Sequence, residues 1–578
     1  MKSVFCFAIL LSFFCNCQSI GKIDNSVFEA IRVNQVGFFP NSPKTAILEV
    51  PPPSTKFRLL DANSLQEVFS GEITGPYNST FSEKKTWKAD FSRFEKPGKY
   101  ILAFEGLGVS NPIQISTSIY ENLGKASLKA FYFQRASTEL PEKYAGIWSR
   151  PSGHPDDQVL LHASAAGTGR TEGSLLSAPR GWYDAGDYNK YIVNSGITMA
   201  TLLSLYEDFS ERCMHLRLDI PESDNTLPDL LDEMHWNLQW MAAMQDPNDG
   251  GVYHKLTTAR FEPMVLPHLT TETRFVVAKS TAATLDFAAV MAQASRVYKD
   301  FFPDLSIEYL KSAELAWKWA LQNPAQAYNQ NDLNKQFKPE IHTGAYGDNV
   351  LSDEWIWAAS ELYISTQNLD YLAHIPIPES FELPSWSKVS WLGYYSVLRK
   401  NADLPNLPES LLNAIKTILV QQAQAYADYA SASPYFHAMG QSPKDFVWGS
   451  NAVAANQAIA LIQAYRITNN LIFLETAHQN LDYLLGKNPT GYCYVTGFGY
   501  RSPLHPHHRL AEAEPEKAPL PGFLVGGPNP SQQDGCNYPS KIPDESYVDE
   551  ACSYASNEIA INWNAPLAYL VNALQFLR

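Results

Sequence analysis

Three stretches of the chain concentrate carboxylates, imidazoles and flexible backbone. The first is Gly181-Trp182-Tyr183-Asp184-Ala185-Gly186-Asp187-Tyr188. Its two carboxylates stand three residues apart, and the glycines allow close backbone approach, so both acids can point into one pocket. There one can hold a water while the other deprotonates it. An N-cap followed by a turn explains the same residues without chemistry. The second stretch is Pro503-Leu504-His505-Pro506-His507-His508-Arg509. Neutral imidazoles bind zinc, but the usual catalytic pattern sets two histidines at i and i+4 on a helix, and Pro503 and Pro506 interrupt any helix here. Hydrogen-bond donors for a polar ligand, or a solvated loop, are the alternatives. The third stretch runs from Tyr547-Val548-Asp549 through Tyr554-Ala555-Ser556-Asn557-Glu558 to Trp563. Glu558 is predicted to open the last helix among aromatic and apolar residues. Such surroundings raise a carboxyl's pKa, as a general acid working near neutrality requires. An acid in a first turn also simply favours the helix dipole.

The elements that must position these residues fall into two parts. Residues 28–116 read as short strands: Thr86-Trp87-Lys88-Ala89-Asp90-Phe91-Ser92 alternates, and Pro97-Gly98 turns into Lys99-Tyr100-Ile101-Leu102-Ala103-Phe104. That pattern predicts a small β-sandwich, with Trp87 and Phe91 in its core rather than on a sugar-binding surface. From residue 120 the apolar period becomes helical, as in Leu230, Leu231, Met234, Leu238 and Met241. Helices are predicted over 121–138, 196–210, 228–246, 279–299, 306–322, 353–366, 387–399, 408–430, 451–467, 472–485 and 558–577. Residues 486–557 are dense in Pro, Gly, His and Asp, and a loop that long in a helical domain is usually functional.

Composition narrows the function. The chain has 578 residues, 45% apolar and 18% charged, enough for a large core and more than one domain. Lys and Arg number 44 against 60 Asp and Glu, a net charge of −16 that repels phosphate backbones and argues against a nucleic-acid partner. Met1-Lys2 and the apolar run over residues 4–14 read as a signal peptide, too short to span a bilayer. Residues 1–18 are therefore expected to be a leader, and the protein to be exported: secreted, periplasmic, or a bacterial outer-membrane lipoprotein. Cys15 and Cys17 stand where a lipoprotein carries its acylated cysteine, the one expected route to a membrane. Cys213, Cys493, Cys536 and Cys552 form no CxxC pair. A Cys536–Cys552 disulfide and buried free thiols both fit an oxidising compartment.

Together these stretches resemble glycoside hydrolase family 9, the cellulase family of inverting β-glucanases, over nearly the whole mature chain. Ile31-Arg32-Val33-Asn34-Gln35-Val36-Gly37-Phe38 is similar to the opening of the immunoglobulin-like domain that often precedes its catalytic domain. Asp184-Ala185-Gly186-Asp187 matches the family's Asp-Ala-Gly-Asp segment. Tyr494, Thr496, Gly499 and Arg501, leading to His507-His508-Arg509, are similar to its His-x-Arg signature, with Cys493 where Ser, Thr or Val is usual. Tyr547, Asp549, Tyr554, Glu558, Ala560, Asn564 and Ala565 fit the second signature.

The resemblance implies a small all-β immunoglobulin-like sandwich over 28–116, followed by a large all-α (α/α)6 toroid over 120–578. It implies Asp187 as general base, Asp184 as its helper in holding the water, and Glu558 as general acid. His507 and Arg509 would bind sugar hydroxyls, with Tyr554 packing near the acid. The chemistry needs no cofactor. The expected substrate is a β-1,4-glucan such as cellulose, xyloglucan or mixed-linkage glucan, cleaved internally by a monomer. An exo-acting β-glucosidase or exo-β-glucosaminidase is the alternative within the family, and a glycan-binding subunit without catalysis the alternative outside it. Thr343-Gly344-Ala345-Tyr346-Gly347-Asp348, followed by Ser352-Asp353-Glu354, resembles the family's calcium-binding stretch, making Asp353 and Glu354 the expected ligands of a structural calcium. Ser352 as an N-cap with acids in the first turn is the competing account. Gly153-His154-Pro155-Asp156-Asp157 lacks the cysteine of the family's zinc region, so zinc is not expected there.

Overall fold

The computed structural model describes residues 26–167 and 169–578. The leader, with Cys15 and Cys17, lies outside the described residues. Strands β1 (Ile31–Arg32), β2 (Thr45–Leu48), β3 (Lys56–Asp61), β4 (Glu67–Asn78), β5 (Lys85–Asp90), β6 (Gly98–Phe104), β7 (Gly108–Val109) and β8 (Ile113–Ile115) form the predicted sandwich. The long β4 belongs to both layers: its first half pairs with β3, and from Ile73 onward it pairs with β5. Phe57, Leu59, Phe91, Leu102 and Phe104 fill the space between, and Trp87 packs partly buried against them. The other face of β5 is covered in part by the second domain. Thr86 is buried and its hydroxyl donates to the Pro434 carbonyl at 2.7 Å, while the Lys88 ammonium sits 4.4 Å over the Phe436 ring.

The segment just after β1 carries further contacts to the second domain. Asn34 donates to Asp482 at 2.8 Å and to the Tyr120 hydroxyl at 3.0 Å. Gln35 donates to the Gly491 carbonyl, and its own oxygen accepts the N–H groups of Tyr500 and Arg501, both at 3.0 Å. Gly491 has φ +68° and faces the Arg32 guanidinium so closely that a side chain there would collide with it.

The helical domain is built from α1 (Glu121–Phe133), α2 (Ile192–Asp208), α3 (Asp229–Ala243), α4 (Thr281–Tyr298), α5 (Pro303–Gln322), α6 (Ser352–Thr366), α7 (Ser390–Lys400), α8 (Glu409–Ala432), α9 (Ser450–Thr468), α10 (Leu471–Leu484) and α11 (Ile561–Phe576). Each answers to one predicted helix, with several shorter helical turns between them. Contacts run from α2 to α4, α6 and α7, across the stripe-buried outer helix α8 to α9, then to α11 and back to α2, closing the expected toroid. The burial patterns separate ring from outer layer. In α4 every residue but Arg296 is buried, whereas α5 buries only a stripe that includes Tyr309, Ala313, Ala316, Trp317 and Ala320. Where α2 ends, Glu207 and Asp208 are buried against Arg296, Arg399, Lys400 and Arg466.

Two irregular parts complete the frame. A small sheet in the order β10 (Leu175–Leu176), β9 (Val159–Leu161), β13 (Arg274–Val276), β12 (Lys255–Thr258), β11 (Lys190–Tyr191) lies between the ring helices and the loops. Between α10 and α11 the chain makes no helix except the single turn Arg509–Glu512. That segment is pinned by a Cys536–Cys552 disulfide, with Cα atoms 5.8 Å apart. Cys213 and Cys493 are buried thiols that burial pushes up to about 12. Among the described residues no helix is long and apolar enough to cross a membrane.

Candidate active site

Asp184 and Asp187 lie on a tight loop that enters β11. Its neck is closed by the Asp184 N–H donating to the Asn189 carbonyl at 3.0 Å. The helix that follows begins at Ile192, four residues earlier than its periodicity predicts, and this places Asn194 on its first turn. The Asn194 amide reaches back to both Asp184 oxygens at 3.0 Å, and the Tyr346 hydroxyl donates to Asp184 Oδ2 at 3.1 Å. Asp187 Oδ2 accepts from the Asn189 amide at 2.5 Å and from the Tyr191 hydroxyl at 3.0 Å. Both donors use the same oxygen, so Oδ1 is the atom left for a water. Burial, then the neighbouring Asp187, pushes the Asp184 carboxyl well above the ordinary range. Two adjacent carboxyls cannot both ionise easily, and Asp184 is the one driven to hold the proton.

Glu558 does not sit in a first helical turn. The last helix starts at Ile561, and Glu558 precedes it in extended backbone, so the helix-dipole account of this residue fails. The strand-like segment is fixed on several sides: His507 pairs with Glu558, Ala185 with Ala560, and Val525 with Ile559. The Ile561 N–H donates to the Asp184 carbonyl at 2.8 Å, and Gly526 N–H to the Glu558 carbonyl at 2.9 Å. The Gly186 backbone N–H weakly favours the ionised form of the Glu558 carboxyl. The carboxyl is pushed well up, first by burial and then by Asp187, with Arg509 pulling the other way. All three acids line one cavity of about 450 Å³.

The histidines of the second stretch part company. His507 Nδ1 donates to the Ala551 carbonyl at 2.6 Å, which leaves Nε2 as the acceptor of the neutral ring, and burial holds its pKa low. His508 is buried against Gln134 Oε1 at 3.1 Å, and burial brings it to about 3. His505 is exposed, its backbone N–H held by Asp549. Each ring is thus engaged with a different neighbour. Arg509 is buried, donating to the Glu262 and Gly186 carbonyls, both at 2.8 Å. The backbone N–H of Arg509 also bonds Gly186 at 3.1 Å. Tyr554 donates to the Gln533 carbonyl at 3.1 Å, and its ring stands between Trp448 and His507, at 5.4 Å and 5.7 Å.

Sequence reasoning missed most of the cavity's aromatic wall. Trp448, Trp386, Phe261, Tyr346 and Tyr191 come from separate loops and strands, and Trp563 from the first turn of α11. Trp448 is 43% and Phe261 50% exposed, so both present flat apolar faces to the cavity. Tyr346 holds φ at +46°, a strained conformation for a tyrosine, and that backbone turns its hydroxyl onto Asp184. Large exposed aromatics outside any amphipathic pattern were the available signal.

Residues 120–571 match the profile of "Glycosyl hydrolase family 9", and residues 27–109 that of the "Cellulase N-terminal ig-like domain". The chain belongs to glycosyl hydrolase family 9. It is 46% identical over 555 residues to the Xyloglucan-specific endo-beta-1,4-glucanase BoGH9A of Bacteroides ovatus, covering 95% of this chain and 94% of that one. It is 31% identical over 559 residues to Endoglucanase D of Acetivibrio thermocellus, covering 94% of this chain and 83% of the other. The solved structure of a Bacteroides ovatus GH9 protein aligns with a TM-score of 0.89 at 44% identity, covering 95% and 99% of the two chains.

Two further regions of this family 9 chain lie away from the cavity wall. Asp353 and Glu354 are buried in the first turn of α6, whose N-cap position is held by Leu351 and not by Ser352. Asp353 accepts the Val389 N–H at 2.8 Å. Asp286 and Asp348 approach them, and burial together with Asp286 pushes Glu354 up to about 11. Both Asp286 oxygens, one oxygen of Asp353, one of Glu354 and one of Asp348 have no hydrogen-bond partner. Among the described residues, no three His, Cys, Asp or Glu side chains converge as a ready-made metal cage. In the region where the family's zinc would be expected, His154 is engaged with Glu262 and Tyr183, both at 2.9 Å. Asp156 is buried with Arg274 and Lys190, which outweigh its burial and bring it to about 2.

Proposed function

We propose that this family 9 chain is an inverting, endo-acting hydrolase of β-1,4-glucans, with Asp187 as general base and Glu558 as general acid. The observation that carries the reading is that the acids share one aromatic-walled cavity in unlike surroundings. Asp187 has two donors on Oδ2 and an open Oδ1 to receive a proton, whereas Glu558 is driven toward its protonated form. A water held between Asp187 Oδ1 and Asp184 gives up its proton to Asp187 as its oxygen attacks the anomeric carbon. Glu558 delivers its proton to the leaving glycosidic oxygen, so the configuration inverts in one displacement. His507 Nε2 can accept a sugar hydroxyl, Arg509 keeps a positive charge beside the acid, and Tyr554 with Trp448 offers flat faces to sugar rings.

Proton NMR of fresh products from cello-oligosaccharides tests this directly. α-Anomers should appear first and be almost absent with Glu558→Gln. First appearance of β-anomers would overturn inversion, and release of single terminal sugars only would overturn endo action.

A narrower reading favours xyloglucan as the preferred glucan, supported by the 46% identity to a relative named for that substrate. A wild-type kcat/KM tenfold higher on unbranched than on xylosylated oligosaccharides would remove it. The chemistry itself uses no cofactor. A structural calcium near Asp353, Glu354 and Asp286 is supported by unpartnered hard oxygens, both of Asp286 and one each of Asp353 and Glu354, although the three side chains do not converge as a ready-made cage. There its charge would offset the mutual repulsion of the buried acids. The disulfide agrees with an exported protein in an oxidising compartment, whether secreted or carried by an acylated Cys15 or Cys17. A site assembled wholly from one chain agrees with a monomer.

A further inference from the structure

Next to the base, outside the residues that line the cavity, Lys255 is fully buried on β12, directly opposite Tyr191 of β11. Among the described residues no carboxylate comes within ion-pair distance of it. Its ammonium instead donates to Gln330 Oε1 at 2.7 Å, Thr343 Oγ1 at 3.0 Å and the Gly344 carbonyl at 2.6 Å. Those contacts match the three N–H groups of a charged amine. Burying such a group without a counter-ion is costly unless a charge nearby compensates.

The bonds continue in one direction. Thr343 Oγ1, already accepting from Lys255, has its own proton free for Thr257 Oγ1 at 2.6 Å. The Thr257 hydroxyl lies 3.0 Å from Asn189 Oδ1. The Thr258 backbone N–H also donates to that oxygen, at 2.9 Å, which fixes the amide orientation and turns its NH₂ onto Asp187 Oδ2. Every donor in the series can point from the ammonium toward the carboxylate, and such chains polarise one another in a low-dielectric interior. A second path is shorter: the Lys255 ammonium lies 5.5 Å over the ring of Tyr191, whose hydroxyl donates to the same oxygen.

We propose that Lys255 is a positioning residue for the base, supplying the buried positive charge and the head of the donor chain that keep Asp187 oriented and ionised. The inference rests on the reading of Asp187 as base. Burial drives Lys255 well below the ordinary lysine range and Asp187 pulls the other way, so the charge depends on the three acceptors around the ammonium together with Asp187. The other groups facing Asp187 are Asp184 on its own loop, Tyr191 of β11, Tyr346, His507 and Glu558, with Arg509 beside Glu558. Lys255 is the fully buried cation among them and does not line the cavity.

The test is the pH profile of kcat/KM on a soluble cello-oligosaccharide for wild type, Lys255→Met, Thr257→Val and Asp187→Asn. Losing the charge should raise the pH of the acid limb by about one unit, a drop of about tenfold well below the limb with the plateau little changed. Thr257→Val, which cuts the chain but keeps the charge, should shift the limb the same way by less. A general packing defect would lower the plateau and leave the limb in place. Folded Lys255→Met and Thr257→Val proteins with wild-type acid limbs would overturn the proposal. If Lys255→Met does not fold, the Thr257→Val limb decides alone. Wild-type turnover in Asp187→Asn would instead remove the base reading, and this inference with it.

Discussion

A Cβ placed on Gly186 would lie 2.2 Å from the carbonyl oxygen of His507. The loop of the two aspartates and the loop of Arg509 therefore pack backbone against backbone, and Gly186 is what permits it. Its carbonyl accepts both the N–H and the guanidinium of Arg509, while its N–H faces Glu558.

Gly186→Ala should consequently damage geometry more than folding. Pushing the loops apart by a fraction of an ångström to an ångström misplaces Asp187 relative to Glu558, which on the proposed roles costs about a hundredfold in kcat. A melting curve beside the kinetics checks this; wild-type kcat in the alanine variant would contradict the packing described.

Glu558→Gln should lose at least about a thousandfold on natural glucans yet recover much of its rate on aryl glycosides whose leaving group needs no proton. Because burial and Asp187 hold the Glu558 carboxyl high, the wild-type alkaline limb should lie above the ordinary carboxylate range. Activity falls as pH rises through that limb and Glu558 deprotonates. In the glutamine variant, on activated substrates, the alkaline limb should be absent.

Trp448→Ala removes a half-exposed ring beside Tyr554 that touches no acid of the site. KM for oligosaccharides should rise about tenfold, in line with about 0.5–1.5 kcal/mol for an aromatic contact beyond its buried area, while kcat changes little. Isothermal titration with a non-hydrolysable oligosaccharide separates the two quantities.

Calcium should raise the melting temperature of the chelator-treated protein, and Asp353→Asn should abolish the increase. An identical melting temperature in chelator and in excess calcium would leave the buried acids compensated by protons alone.

Glu207 offers a test of stability against pH. Buried, yet outweighed by Arg296 and Arg399, it is held at about 2 in the folded chain, below its ordinary 4.5. A depressed carboxylate stabilises the fold above its unfolded pKa, and that contribution is lost as pH falls toward the folded value. Glu207→Gln strands buried arginine charge and should cost about 3–5 kcal/mol near neutrality. The gap from wild type in denaturant unfolding should narrow steadily between pH 5 and pH 2.

The helices were legible because a ring helix and an outer helix both carry an apolar period, whether the stripe is narrow as in α5 or nearly continuous as in α4. Their ends were less so. Ile192 to Ser195 were missed as helix, and with them the reason Asn194 can hold Asp184. Glu558 was legible as a residue type in apolar surroundings but was misplaced into a helical turn, because pairing with residues distant in sequence, His507, Ala185 and Val525, keeps its segment extended. The carboxylates of the site could be picked out, since few other residues do acid–base work. Trp448, Trp386 and Tyr346 could not, because an exposed aromatic has no periodicity to mark it. The network behind Asp187 was invisible for the opposite reason: Lys255, Thr257 and Thr343 look like an ordinary polar strand and loop until the fold buries them together.

The bonds from Gln35 to Gly491, Tyr500 and Arg501 reach past the domain boundary into the same long segment that later carries His507 and Arg509. The sandwich is therefore not a portable tag. A chimera that borrows it from a distant relative would have to import residues 491–501 as its matching half, and in engineering this chain the two are best treated as one exchangeable cassette.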